Sequence, residues 1–217
     1  MQSLVRHPGA HRWFGTMALA GVVLFGYAIG GLMGPPSQVV GERLAELTCL
    51  QVAFTPERFT GVFLDFPVPV RAAVVELLIP GDLVFAWGYG LLLAGLTGLL
   101  AIRLPGQWLR VGALVLWAPL LASTFDCIED VFLHTLAREL LENPAAKVSG
   151  ALPLLAGLAA TVKYLALVVV TPAYGLAGIA KGLSVDRSAG ALLLYAFLGL
   201  NLMLMILRPL QQIPPCF

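Results

Sequence analysis

Apolar residues along this chain fall into long runs, separated by short polar or proline-bearing stretches. A membrane-crossing helix needs about 20 mainly apolar residues. Five runs reach that length: 13–33, 82–102, 108–136, 152–174 and 191–207. Arg6 and Arg12 precede the first run, but its apolar part is too long for the core of a secretory signal and no small-residue cleavage pattern follows. It is expected to stay as an uncleaved anchor. Pro119 marks a kink point in the third run, Pro172 lies near the end of the fourth, and Asn201 interrupts the fifth.

The connection 34–81 has a different pattern. Val40, Leu44 and Leu47 recur at helical spacing, with Glu42, Arg43 and Glu46 on other faces. Thr55-Pro56-Glu57-Arg58 is a helix start: a hydroxyl to cap, a proline in the first turn and an acid close behind. Phe59, Val62 and Phe63 give that helix one apolar face. Pro67 and Pro69 impose an extended break, and Val70 to Leu78 forms a further short amphipathic stretch ending at Pro80-Gly81. The pattern predicts a cap of interfacial helices lying against the membrane. The alternative, a disordered loop, suits so apolar a segment poorly.

Composition points the same way. Hydrophobic residues make up 59% of the chain and charged residues 12%, against about 25% charged in soluble domains, and mean hydropathy is +0.90. Lipid must therefore be part of the solvent. The expected fold is all-α: a polytopic transmembrane bundle of about five spans in a single membrane domain, 1–217. Net charge is +1 with no basic run, which excludes a nucleic-acid partner. Cys49, Cys127 and Cys216 form no metal-knuckle spacing, and no cofactor or metal motif is present. Cys49 and Cys216 share one side of the expected topology, where a disulfide between them is open; Cys127 reads as a packing residue. Gly26 and Gly30 form a small-residue packing motif in the first span.

Charged side chains inside spans are costly and usually face the bundle interior. The third run carries Asp126, Glu129 and Asp130 at i, i+3 and i+4, on one helix face, and His134 extends that face. The fourth run carries Lys163 and Tyr164; the second carries Asp82 at its start and Tyr89 two turns on. At 1.5 Å per residue, Lys163 lies roughly 16 Å and Asp130 roughly 15 Å from the joined ends of their helices. The expectation is an acidic cluster with one lysine counter-charge beneath the cap. The plainer readings are a structural ion pair, an Asp82 that only caps its helix, an interfacial His134 and packing tyrosines. Three carboxylates on one face nevertheless exceed what one lysine neutralises.

Three stretches resemble a loose group of uncharacterised bacterial membrane proteins with a four-helix core. Leu50-Gln51-x-Ala53-Phe54-Thr55-Pro56-Glu57-Arg58 resembles their L-Q-x-A-x-T-P-E-R segment. Asp82 with Tyr89-Gly90 resembles a D-x-x-x-P-x-x-Y-G pattern, whose proline falls at or next to Trp87 here. Pro119-Leu120-Leu121-Ala122 through Asp126-x-x-Glu129-Asp130 resembles P-L-x-A-x-x-D-x-x-E-N, with Asp130 in the asparagine position. The resemblance spans roughly residues 14 to 170, leaves the fifth span as an addition, implies a bacterial inner-membrane protein, and singles out Asp82, Asp126 and Glu129. It brings no reaction with it.

The residues admit three functions. The leading one is binding of a lipid-like ligand or a partner membrane protein through Asp82, Tyr89, Asp126, Glu129, Asp130 and Lys163. The others are an intramembrane enzyme acting on a lipid or isoprenoid through a carboxylate acid or base, and proton or ion transfer. Orientation follows from basic residues. Six (Arg6, Arg12, Arg103, Arg110, Lys181, Arg187) lie on the N-terminal side and six (Arg43, Arg58, Arg71, Arg138, Lys147, Arg208) on the other. The first set occupies the shorter segments, where the positive-inside rule acts most strongly. The N-terminus is therefore expected in the cytoplasm. A reporter active only in the cytoplasm should be silent when fused after Phe217 and active near residue 185; the reverse pattern would invert the topology.

Overall fold

The computed structural model describes residues 7–40, 43, 46–184, 194, 198–199 and 201. Among them four helices are long and apolar enough to cross a membrane: Ala10–Leu32, Ile79–Ala101, Gln107–Glu142 and Ala151–Ser184. The expected fifth span, 191–207, falls almost wholly outside the described residues, as does Cys216 of the Cys49–Cys216 pairing. The fold is a helical membrane bundle, with four spans rather than five among the described residues.

In chain order the α-helices are α1 (Ala10–Tyr27), α2 (Gly34–Val40), α3 (Leu47–Gln51), α4 (Pro56–Asp65), α5 (Val68–Ala73), α6 (Ile79–Ala101), α7 (Gln107–Val115), α8 (Trp117–Glu142), α9 (Ala151–Tyr164) and α10 (Thr171–Ser184). Three π-helical segments, Ala28–Met33, Val74–Leu78 and Leu165–Val170, join α1 to α2, α5 to α6 and α9 to α10. Each ends two residues before a proline: Pro35, Pro80 and Pro172. A proline offers no N–H and its ring collides with the carbonyl four residues back. Widening the ladder to five residues relieves that collision. Accordingly the Ile79 N–H bonds to the Val74 carbonyl and the Thr171 N–H to that of Ala166.

This device overturns two expectations. The stretch from Val70 to Leu78 does not stop at Pro80-Gly81 but runs into the second span, so Asp82 lies inside a continuous helix and is not an N-cap. The fourth span continues past Pro172 to Ser184. In the third span the ladder is interrupted at Leu116, one residue before α8 begins and three before Pro119, whose missing N–H leaves the carbonyl at 115 without its helical donor.

The spans pack in the order α1, α6, α8, α9, with α8 between α6 and α9. Lipid-facing positions are apolar and exposed, among them Leu19, Val23, Val131, Leu158 and Leu176. The cap forms as its sequence dictates. Thr55 is extended, and its hydroxyl accepts the Arg58 N–H at 3.4 Å to start α4. Phe59 and Phe63 of α4 are fully buried and stack at 6.1 Å. With Phe66, Val70 and Val74 they pack on Leu133, Leu136 and Leu140 of α8. Burial of each such side chain contributes about 1.5–3 kcal/mol. Arg43 ties the cap together: it donates to Glu46 at 2.5 Å, to the Asp65 carbonyl at 2.9 Å and to the Asp65 carboxylate, and lies 4.8 Å from the centre of the Phe66 ring. Those bonds, from Glu46 first and then Asp65, raise the guanidinium above its already high pKa.

The small-residue contact of the first span is not where Gly26 and Gly30 suggest; both have open space around them. It is built from Gly21 of α1 with Gly88 and Gly95 of α6. A β-carbon at Gly21 would stand 2.3 Å from the Leu92 amide nitrogen, and one at Gly88 2.6 Å from that of Phe25. Gly21→Leu should therefore part α1 from α6 and lower stability in mixed micelles by at least about 1–3 kcal/mol, the usual cost of overpacking. Gly26→Leu should stay within about 0.5 kcal/mol of the parent, as surface changes do. Equal effects of the two would remove Gly21 from this role.

Candidate functional site: a buried acidic pit beneath the cap

The site begins with the close approach of α6 and α8. Gly90 faces Ser123, and a β-carbon there would lie 1.7 Å from the Ser123 Oγ. Ser123 turns this proximity into a bond, donating to the Ala86 carbonyl at 2.8 Å, with its own-helix Pro119 carbonyl at 3.0 Å. Asp82 and Tyr89, seven residues apart and so on one face of α6, are thereby brought against the acidic face of α8.

Lys163 enters from α9. Its Nζ donates to Asp126 Oδ1 at 2.7 Å and lies 2.6 Å from Glu129 Oε2, an ion-pair contact without hydrogen-bond alignment. Lys163 and Asp130 each stand twelve residues from the end of their own helix, or about 18 Å along it. Tyr89 Oη donates to the other Asp126 oxygen, Oδ2, at 2.7 Å. Both oxygens of Asp126 therefore have a donor. Lys163, Asp126, Glu129 and Asp130 are all buried, at 5%, 3%, 0% and 2% exposure.

Asp130 is placed differently. Its Oδ2 is buried and makes no hydrogen bond. Carboxylate oxygens of Asp82, Asp126 and Asp130 lie within 4.8 Å of one another. Asp82 is partly exposed, and with Asp130 it lines a cavity of about 50 Å³ between the cap and α8. Leu47, Leu50, Gln51 and Phe59 of the cap form its opposite wall. A volume of that size holds one or two water molecules. The six residues singled out from sequence thus form one connected group, spread over three helices and open toward the cap. His134 lies one turn beyond Asp130, with its Nδ1 buried and unbonded.

Several contributors were not singled out. Gln51 accepts a 2.7 Å hydrogen bond from Tyr164 Oη, joining the cap to α9 beside the pit. Phe54 adopts a left-handed backbone, φ 55°, unusual for a bulky residue, and its ring fills the space where Gly157 lacks a side chain. Gln51 and Phe54 belong to the motif-bearing stretch, but their partners are more than 100 positions away, and no local pattern announces that pairing.

The arrangement holds four carboxyl groups against one ammonium. It is suited to bind a positively charged or hydrogen-donating group, or to exchange a proton at Asp130. No protein-family model, curated protein or solved structure matches the chain.

Removing one partner of a buried ion pair strands the other charge and costs about 3–5 kcal/mol. Lys163→Met should lower unfolding stability in micelles by that amount, and adding Glu129→Gln should restore part of it. A Lys163→Met protein as stable as the parent would show that the carboxyls do not depend on this lysine.

Proposed function

We propose that the protein is a membrane-embedded binding protein that receives the polar head of a lipid-like amphiphile in the acidic pit beneath its cap. The observation that carries this reading is the surplus of acid at a cavity. Lys163 is engaged by Asp126 and Glu129, whereas Asp82 and Asp130 line the cavity and an Asp130 oxygen lacks a partner. A cluster serving only to fix helix register gains nothing from additional carboxyls, because each uncompensated buried charge is costly. The rest of the wall is apolar, with Leu47, Leu50, Phe59 and Leu133, which suits the first methylenes below a head group. Amphipathic helices roof the pit, the kind of element that lies in the bilayer interface where lipid head groups are found. The cavity is smaller than a lipid head, so entry requires the cap to lift from α8. In this reading the chain sits in a bacterial inner membrane with the N-terminus in the cytoplasm and the cap outside.

An intramembrane enzyme acting on a lipid or isoprenoid would use the same Asp130 oxygen as acid or base, and one measurement separates the two. Native mass spectrometry of the full chain released from nanodiscs should show a lipid-sized adduct of unchanged mass on the parent, reduced at least several-fold in Asp130→Asn and in Asp82→Asn. An adduct whose mass changes during incubation would favour the enzyme. A protein-sized adduct lost in the same variants would replace the lipid with a partner protein. A bare chain throughout would overturn the proposal.

A further inference from the structure

We propose that Asp82, Asp126 and Asp130 together bind one hard divalent cation, with its open coordination positions facing the cavity under the cap. The proposal rests on the reading of the pit as a binding site and adds what the pit holds first.

The geometry suits such an ion. Calcium binds oxygen at about 2.3–2.6 Å, so ligands on opposite sides of it stand up to roughly 4.6–5.2 Å apart. The three carboxylates offer oxygens within 4.8 Å of one another, from two helices, α6 and α8. Magnesium, at about 2.0–2.1 Å, would need a contraction to roughly 4.2 Å. Every ligand offered is a carboxylate oxygen, which favours calcium, magnesium or manganese over softer transition metals.

A second observation is independent of this clustering. Asp130 Oδ2 is buried with no hydrogen-bond partner in a residue only 2% exposed, beside the cavity it lines. A buried polar atom without a partner loses its hydration with nothing in return. A cation supplies that missing partner.

The surroundings complete the case. Asp126 is oriented from behind, because Tyr89 and Lys163 each donate to a different one of its oxygens. This is how outer groups position a carboxylate ligand, and each oxygen keeps a lone pair for the ion. The cavity of about 50 Å³ supplies room for one or two waters. Gln51 lines it and carries an amide oxygen, another ligand type that hard cations accept. Four carboxylates and one ammonium leave three formal negative charges in the pit, and one divalent ion reduces that to one. An ion held in this way would present its cavity side to an oxygen of the arriving head group, such as a phosphate or hydroxyl.

Manganese is the probe, titrated into the full chain in nanodiscs of a neutral phospholipid after chelator treatment, with the free ion followed by its paramagnetic resonance. One saturable site per chain is expected, displaced by calcium. Asp130→Asn and Asp82→Asn should each weaken it at least about tenfold, since even outer-shell changes cost 10–100-fold. Manganese should raise the thermal midpoint of the parent but not of these variants, whose metal-free midpoints should equal or exceed that of the parent as like charges are removed. Either variant alone suffices if the other fails to fold. No saturable uptake by the parent, or uptake unaffected by both changes, overturns the proposal. If manganese does not bind while the lipid adduct persists and depends on Asp130, only the cation falls. If manganese binds while no amphiphile is carried, the amphiphile reading falls and the cation stands.

Discussion

An ammonium group in the hydrocarbon layer must be met by acceptors from its own protein, because neither lipid nor bulk water supplies them. Lys163 imposes this requirement on the bundle. Its carboxylates come from a neighbouring helix, so α8 and α9 are locked at one depth and one rotation. Asp126 then accepts from Tyr89, which fixes α6 as well. Three spans are thus registered by one connected polar group, and the glycines and serine at their crossings permit the approach it needs. The first span stands outside this network and is held by backbone packing at Gly21, Gly88 and Gly95 instead.

The cap follows from the same requirement. Polar groups near the end of a span must be screened from lipid or given water under control. Here α4 lays Phe59 and Phe63 over α8, leaving a small gap at Asp82 and Asp130 whose other walls are mainly apolar. Phe54 on Gly157 and Gln51 on Tyr164 fasten the cap to α9. The pit is consequently enclosed by short elements resting on long ones.

What was legible in the sequence was what local chemistry decides. Thr55-Pro56 sets a helix start through one hydroxyl and one ring, within a single turn. Asp126, Glu129, Asp130 and Lys163 stand out because charge in an apolar run has few places to go, and matched depths brought them together. What was not legible depends on contacts distant in sequence or on rarer backbone states. The spacing of Gly26 and Gly30 shows that they share a face, but not whether any helix covers it. Pro80 and Pro172 read as helix ends because a proline normally removes a bond from the α ladder; a local five-residue ladder absorbs the loss, and side-chain periodicity does not reveal it. The tyrosine–glutamine bond between Tyr164 and Gln51 joins positions too far apart for any motif to encode.

The widened turns ahead of the prolines also govern phase. Each α-helical residue advances the side-chain direction by about 100°, and a π turn accommodates one residue more than an α turn does. The segment Val74–Leu78 lies between the cap and the face that bears Asp82 and Tyr89. A return of this segment to α spacing at unchanged length would swing that face by about 100° relative to the cap, carrying Asp82 out of the pit without altering any side chain in it, whereas loss of one residue together with the widened turn would leave the phase nearly unchanged. In this part of the molecule the width of one turn decides whether the acidic face looks inward. Pro80, whose ring keeps the turn ahead of it wide, therefore governs the orientation of the pit from outside it.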